Sequence, residues 1–230
     1  MSSHKPVQLT LGVRLDDFAR FENFYVVENN RHLISELKGI FSMLYVWGPE
    51  CSGRTHLLQA LCHKESAIAN SAIYIPLAER QNFSPAVLEG LAALDLICLD
   101  DIQSIAGDVL WEYSLFNIFN EAKENGTRML VSSNCSPQES PIVLRDLRSR
   151  LQSISVFKLA DMSDEQAIEA PKFRAKKRGM ELNEITAEYI YRRSNRSIDQ
   201  LMTLLNELDR VSLRSQRKLT IPLVKEAMGW

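Results

Sequence analysis

The sequence predicts an α/β fold in which a parallel β-sheet is covered by helices on both faces and followed by a smaller all-helical domain. Three observations lead there. Short, near-continuous apolar runs alternate with stretches whose apolar residues recur at helical spacing, which is how strands buried on both faces read. One such run, Met43–Trp47, leads directly into the glycine-bounded segment Gly48-Pro49-Glu50-Cys51-Ser52-Gly53-Arg54-Thr55, and a helical pattern follows. After Asp161 strand signals fade while helical ones continue. The chain therefore divides into a flexible tail over 1–16, an α/β domain over 17–160 and a helical domain over 161–230.

With 230 residues, 45% of them hydrophobic, the chain can bury one core plus a small appended one. A net charge of −2 excludes the overall basic character that drives sequence-independent DNA binding. Residues 161–230 carry 13 basic against 11 acidic side chains, and the run Lys172, Arg174, Lys176, Lys177, Arg178 reads as a solvated helix face. Cys51, Cys62, Cys98 and Cys135 show no C-x-x-C spacing, so a reduced cytoplasmic thiol set is expected. Cys51 sits near a helix start, where thiol pKa values fall, although packing is the safer reading. The four histidines lack metal-site spacing, and no apolar run reaches the length of a membrane span.

The first segment, Gln8-Leu9-Thr10-Leu11-Gly12-Val13, alternates apolar and polar residues and reads either as an edge strand or as an extended peptide that fills a groove. Leu33, Ile34, Leu37, Ile40 and Phe41 predict a helix over 29–41, and Leu57, Leu58 and Leu61 another over 55–64. Residues 72–77 read as a strand closed by Pro76. Ser84-Pro85 predicts a helix start, with Val87, Leu88 and Leu91 inward. A strand over 94–99 ends in Asp100-Asp101. Asp108 caps a helix that buries Trp111, Leu115, Ile118 and Phe119, and 128–133 is a further strand left at Asn134. Beyond it Ser163 and Gln166 make a capping box, helices are expected at 186–193, 198–215 and 222–228, and a short strand at 219–221. Pro171 falls inside the first of these helices, where a break or kink is expected just before it.

The segment Gly48–Thr55 has the pattern of a phosphate-binding loop, with arginine where such loops carry lysine. Its glycines let backbone N–H groups turn around phosphate oxygens, Thr55 offers a hydroxyl to Mg²⁺, and the following helix points its positive end at the anion. Arg54 keeps the charge but is planar and forked, which favours nucleotide binding over turnover. Carboxylates at the tip of the strand ending in Asp100-Asp101 suit metal binding through water and orientation of an attacking water, respectively. Asn134 at the next strand tip suits a γ-phosphate contact. Arginines in Leu144-Arg145-Asp146-Leu147-Arg148-Ser149-Arg150-Leu151 suit action in trans on a neighbour's phosphate.

Together these residues resemble the AAA+ initiator-related ATPases of the DnaA/Hda family, over nearly the whole chain. The resemblance rests on Phe21-Glu22-Asn23-Phe24-Tyr25-Val26, on the loop with Arg54-Thr55-His56-Leu57-Leu58, on Leu99–Gly107, on Asp146–Leu151 and on Gln216–Pro222. It implies a AAA+ P-loop three-layer domain with a helical lid. The regulatory branch is favoured because Gln8, Leu9, Leu11 and Val13 resemble a peptide that docks on the DNA polymerase III beta sliding clamp, and because the sequence closes at Trp230 without a helix-turn-helix pattern. What the resemblance implies is a cytoplasmic, replisome-associated negative regulator of replication initiation, holding ADP or another nucleoside diphosphate with Mg²⁺. It would meet DNA indirectly through the clamp and stimulate ATP hydrolysis on the DnaA initiator, with its own hydrolysis weak or absent. Self-association into a homo-oligomer is compatible with the family. Arg150 is the implied arginine finger. The implied nucleotide set is Tyr25, Val26, Gly48, Pro49, Glu50, Cys51, Ser52, Gly53, Arg54, Thr55, His56 and Asn134, with Thr55 and Asp100 on the metal. The position of the family's lid arginine falls on Asp199, with Arg196 nearby. The alternative is a helicase-loader-like or DNA-remodelling AAA+ ATPase.

Overall fold

The computed structural model describes residues 14–194, 200, 201, 203–205, 207, 208, 211 and 219–229. Gln8, Leu9, Leu11, Val13, Arg196 and Asp199 lie outside them, as does part of the expected 198–215 helix.

Five parallel strands form one sheet: β1 (Met43–Trp47), β2 (Ala72–Pro76), β3 (Leu96–Asp100), β4 (Arg128–Ser133) and β5 (Ser155–Lys158), in the order β2-β3-β4-β1-β5. Alternate strand residues feed opposite faces, as pleating requires. Met43, Tyr45, Ile97, Leu99, Met129 and Val131 pack with Trp111, Leu115, Ile118 and Phe119 of α3 (Val109–Asn125) and with Leu147 and Leu151 of α4 (Arg145–Gln152). Leu44, Val46, Leu96, Cys98 and Leu130 face the other way. They meet Leu33, Ile34 and Leu37 of α1 (Arg31–Lys38) and Leu57, Leu58 and Leu61 of α2 (Arg54–Ala67). A separate cluster joins α5 (Asp164–Lys177), α6 (Glu184–Arg193), Leu201, Leu205, Leu208 and the helix Ile221–Met228.

Asp108 and Ser163 cap as their side chains suggested, while the expected cap Ser84 makes no side-chain capping bond. Asp108 accepts from Trp111 N at 3.3 Å, and Ser163 with Gln166 forms both bonds of a capping box. Four expectations need correction. The helix α1 ends at Gly39, leaving Ile40 98% exposed while Phe41 turns inward toward β1. Residues 85–93 form two 3₁₀ turns in place of a helix, because Gly90 adopts a left-handed conformation between them. Leu219 contributes one isolated parallel bridge to Leu182, and the described residues 219–221 lead into a helix at Ile221 in place of the expected strand. The helix α5 runs through Pro171 without a break, since the ring is buried in the lid and only one donor is lost.

Two buried carboxylates brace the frame. Glu112 of α3 is 2% exposed and accepts from the backbone N–H groups of Gly107 (2.8 Å), Val143 (3.0 Å) and Leu144 (2.6 Å), fixing the entry to α4. Glu65 of α2, 1% exposed, takes both terminal nitrogens of Arg128 on β4 and the amide of Asn70. Burial raises the Glu65 pKa, but these bonds more than reverse the effect and hold it below the usual carboxylate value. Because the folded form is the weaker acceptor of a proton, this stabilisation is complete above the unfolded pKa near 4.5 and is lost as pH falls below it. Glu65→Ala is expected to cost about 2–3 kcal/mol by leaving the partly buried Arg128 without its partner. Urea unfolding monitored by circular dichroism at pH 7 measures it, and a loss under 1 kcal/mol would show the pair to be dispensable.

Candidate functional site

Strand order places the loop after β1 between the tips of β4 and β5, at the carboxyl end of the sheet where α/β folds bind ligands. The loop closes tightly. Gly53 has φ 95°, and a Cβ there would sit 2.6 Å from Phe24 Cε2, so glycine is required both for conformation and for close approach. Gly48 donates its N–H to Ser133 O at 3.2 Å, tying the loop to β4. The first turn of α2 then presents N–H groups with no acceptor inside the helix.

Arg54 is 8% exposed and turned into the protein. Its Nη1 donates to Gly48 O and to Ser133 O (2.8 Å), and its Nη2 to Asp101 Oδ1 (2.9 Å). A guanidinium has the fork needed to join three acceptors from three segments; an ammonium does not. Asp101 itself sits at φ 55°, a strained conformation for a non-glycine residue. Arg54, Gln103 Nε2 (3.0 Å) and Ser132 Oγ, which accepts from Asp101 N (2.9 Å), over-determine it. Gln103 Oε1 in turn accepts from Ser133 Oγ (3.0 Å) and Asn134 N (3.2 Å), bridging the tips of β3 and β4.

Asp100 is 2% exposed and receives three hydroxyls: Thr55 Oγ1 at 2.7 Å, Tyr74 Oη at 2.8 Å and Ser132 Oγ. Burial and then the Asp100 charge push the Tyr74 phenol well above its ordinary value, so Tyr74 remains a donor. Thr55 and Asp100 thus meet as the pair that would hold a Mg²⁺ ion, and the expected metal residues are in contact. Among the described residues no group of three or more His, Cys, Asp or Glu side chains is placed to hold a metal ion.

Beside the loop lies a cavity of about 80 Å³ lined in part by Phe24, Tyr25, Ser52, His56, Ala170 and Arg174. Its walls come from the loop, from α5 and from a strap over residues 14–24 that crosses α2. In the strap, Asp16 N donates to Gln59 Oε1 (2.9 Å), and the backbone oxygens of Asp16 and Arg20 accept from His63 Nε2 and His56 Nε2, at 3.0 and 2.9 Å. Since a carbonyl only accepts, Nε2 carries a proton in each ring. Burial and the Arg174 charge pull the His56 imidazole below its ordinary value, keeping it neutral at pH 7. A larger groove, about 1120 Å³, lies at the opposite, amino end of the sheet, away from this chemistry.

Tyr25, Cys51, Ser52, Gly53 and His56 all line the cavity, while Val26 is 37% exposed and outside it. Pro49 and Glu50 belong to the loop, Glu50 exposed. Asn134 is exposed at the β4 tip. Arg150 lies half-buried in the last turn of α4, and no ion pair or side-chain hydrogen bond joins its guanidinium to another described residue. Sequence reasoning missed Tyr74, Gln103, Ser132 and Arg174. For Tyr74 and Ser132 the available signal was a hydroxyl inside an apolar strand, one strand from Asp100. The basic run is not a uniformly solvated face: Lys176 and Lys177 are exposed, but Arg174 turns into the cavity.

A parallel sheet of this order, with a glycine-bounded loop after its inner strand, an acidic β3 tip and a helical lid, defines a AAA+ module. The chain belongs to the DnaA-related AAA+ family. The family model of the bacterial DnaA ATPase domain matches residues 15–157, and that of the Hda lid domain matches 164–228. Domain III of the Thermotoga maritima replication initiation protein DnaA is similar in fold, with a TM-score of 0.75 at 20% identity over 94% of this chain and 98% of that one. DnaA from Aquifex aeolicus, solved with AMPPCP, gives 0.66 at 23% identity over 76% and 60%. RuvB of Thermotoga maritima gives 0.61 at 15% identity over 87% and 67%. Among the described residues no helix is long and apolar enough to cross a membrane.

Gly53→Ala is expected to disturb the loop and the strap together, because the new methyl group must displace Phe24. A loss of about 2 kcal/mol in thermal or urea unfolding is the expected outcome, combining φ strain with overpacking. Wild-type stability in this variant would show that the loop is not held as described.

Proposed function

We propose that this chain is a negative regulator of replication initiation that holds a nucleoside diphosphate, ADP on family grounds, and acts on a partner's nucleotide rather than its own. The observation that carries the reading is the inward turn of Arg54. The cation of the loop is committed to two backbone carbonyls and to Asp101, so the second carboxylate at the β3 tip already has a cationic partner and is poorly placed to orient water. The same site is well supplied for holding a nucleotide. Gly48–Thr55 surrounds the phosphates, and the buried Ser52 Oγ has a polar atom to offer. Thr55 and Asp100 hold Mg²⁺, whose charge neutralises the phosphates when bound. Tyr25, with Phe24 and His56, stands at the nucleoside end, and Asn134 at the phosphate end. The Hda-type lid and the DnaA-type ATPase domain support DnaA as the partner.

In this reading Arg150 reaches from α4 into the ATP site of the DnaA initiator. It stabilises charge developing on the γ-phosphate oxygens, a role worth about 10³–10⁵ in rate where arginines act in trans. The segment Gln8–Val13 tethers the protein to the DNA polymerase III beta sliding clamp on DNA. A cytoplasmic, replisome-associated location follows from those partners.

Phosphate release from ATP-loaded DnaA, with and without this protein, ADP and clamp on DNA, tests the reading. Stimulation that needs the clamp and falls about a thousandfold in Arg150→Ala is expected. Unchanged stimulation by that variant would sink the finger assignment, and ATP hydrolysis by this chain alone would favour the loader-like alternative. Replacing Gln8 and Leu11 with alanine is expected to abolish clamp binding in a pull-down while leaving ADP affinity untouched. Retained clamp binding would remove the tail from the mechanism.

A further inference from the structure

Two buried polar atoms without a hydrogen-bond partner, Ser52 Oγ and Arg174 Nε, belong to residues lining the same cavity. One comes from the phosphate-type loop and the other from the lid. Buried donors and acceptors are almost always paired in folded proteins, so two orphans around one small cavity call for an explanation.

Arg174 is the sharper case. Its side chain is only 15% exposed, and the carboxylate that faces it among the described residues, Asp16, lies 3.8 Å from Nη2 and is half exposed. That is too long for a hydrogen bond. Burial, then the like charge of Arg178 a turn further on, lowers the Arg174 pKa, while Asp16 compensates only in part. Arg54, the other cation of the site, is spent on Gly48, Ser133 and Asp101. Arg174 is therefore a desolvated cation with a spare planar donor, held against a cavity whose walls are otherwise largely apolar: Phe24, Tyr25, Met162 and Ala170. Such walls suit the ring of a nucleoside rather than a phosphate chain.

We propose that Arg174 is a nucleotide-binding residue whose Nε–H donates to an acceptor on the nucleoside end of the bound nucleotide, with Ser52 Oγ completing the contact from the loop. The inference rests on the reading that the loop holds a nucleotide. It makes the lid helix α5 a direct reader of occupancy, independent of the lid position at 199. The base ring, the ribose and the α-phosphate all carry acceptors of this kind, and the apolar lining favours the first two.

The test measures binding of ADP and of adenosine, by competition against a fluorescent ADP, to the full chain and three variants. Arg174→Met keeps the apolar stem and loses every donor. Arg174→Lys keeps the charge and loses the Nε donor. Ser52→Ala removes the loop partner without touching the lid. Arg174→Met is expected to weaken ADP and adenosine by a similar factor, tenfold or more, with Arg174→Lys recovering less than threefold of it and Ser52→Ala losing several-fold. The melting temperature of nucleotide-free Arg174→Met is expected to equal or exceed that of the wild type, because an incompletely paired buried cation has gone, while the upward shift produced by ADP is lost. ADP affinity within twofold of wild type in Arg174→Met overturns the proposal. Full recovery by lysine overturns the hydrogen bond, and a loss confined to ADP overturns the nucleoside assignment in favour of the α-phosphate. Failure of the wild type to bind ADP overturns the nucleotide reading itself, before any variant is compared.

Discussion

The interaction on which the site depends is the burial of one guanidinium among acceptors from three separate segments. Arg54 opens α2, Gly48 closes β1, Ser133 ends β4, and Asp101 follows β3; the side chain of the first reaches the other three. Taking a cation out of water is costly unless several acceptors receive it, and here they do. The consequence is geometric as much as energetic. The loop cannot open without releasing Ser133, and Asp101 cannot leave its strained conformation without releasing Arg54. A lysine at this position would be a compact, flexible, single-pointed charge able to follow a phosphate, whereas the arginine is a brace.

A second network is built beside the first from hydroxyls rather than charges. Thr55, Tyr74 and Ser132 converge on Asp100, each from a different element, and Ser132 also takes the N–H of Asp101. Adjacent aspartates thus have different surroundings: one saturated by neutral donors, one paired with a cation. Equal residues in sequence are unequal in chemistry, because the chain reverses its backbone conformation between them. The strap over 14–24 and the lid helix α5 close the other side through Phe24 against Gly53, the tilted pair of Phe24 and His56, and Tyr25 edge-on to Phe173 at 5.8 Å.

Much of this was legible in the residues. Buried parallel strands announce themselves as apolar runs, the phosphate-type loop by its glycines, and helix starts by Asp108 and by Ser163 with Gln166. The misreadings have physical causes. The apolar spacing around Ile40 and at 85–93 continues past the point where Gly39 and Gly90 stop a helix, so periodicity outran the backbone. Pro171 looked disruptive because propensity ignores the burial that compensates it. Arg54 was readable as a cation of the loop but not as a brace, since its acceptors are two carbonyls and a carboxylate 47 positions away. Arg174 was hidden inside a run of basic residues, and only the packing of α5 against the loop separates it from Lys176 and Lys177. Side-chain direction is a tertiary fact that composition does not carry.

The carboxylate of Glu112 has a mechanical meaning. By gripping the amides of Val143 and Leu144 from the adjacent helix, it welds the start of α4 to the body of the domain, and the short helix bearing Arg145, Arg148 and Arg150 is seated like a tool in a vice. A side chain mounted so stiffly forfeits little freedom when something grips it, leaving only its own rotamers to be frozen. The rigidity of one helix N-terminus therefore sets how sharply an arginine at the other end can be aimed.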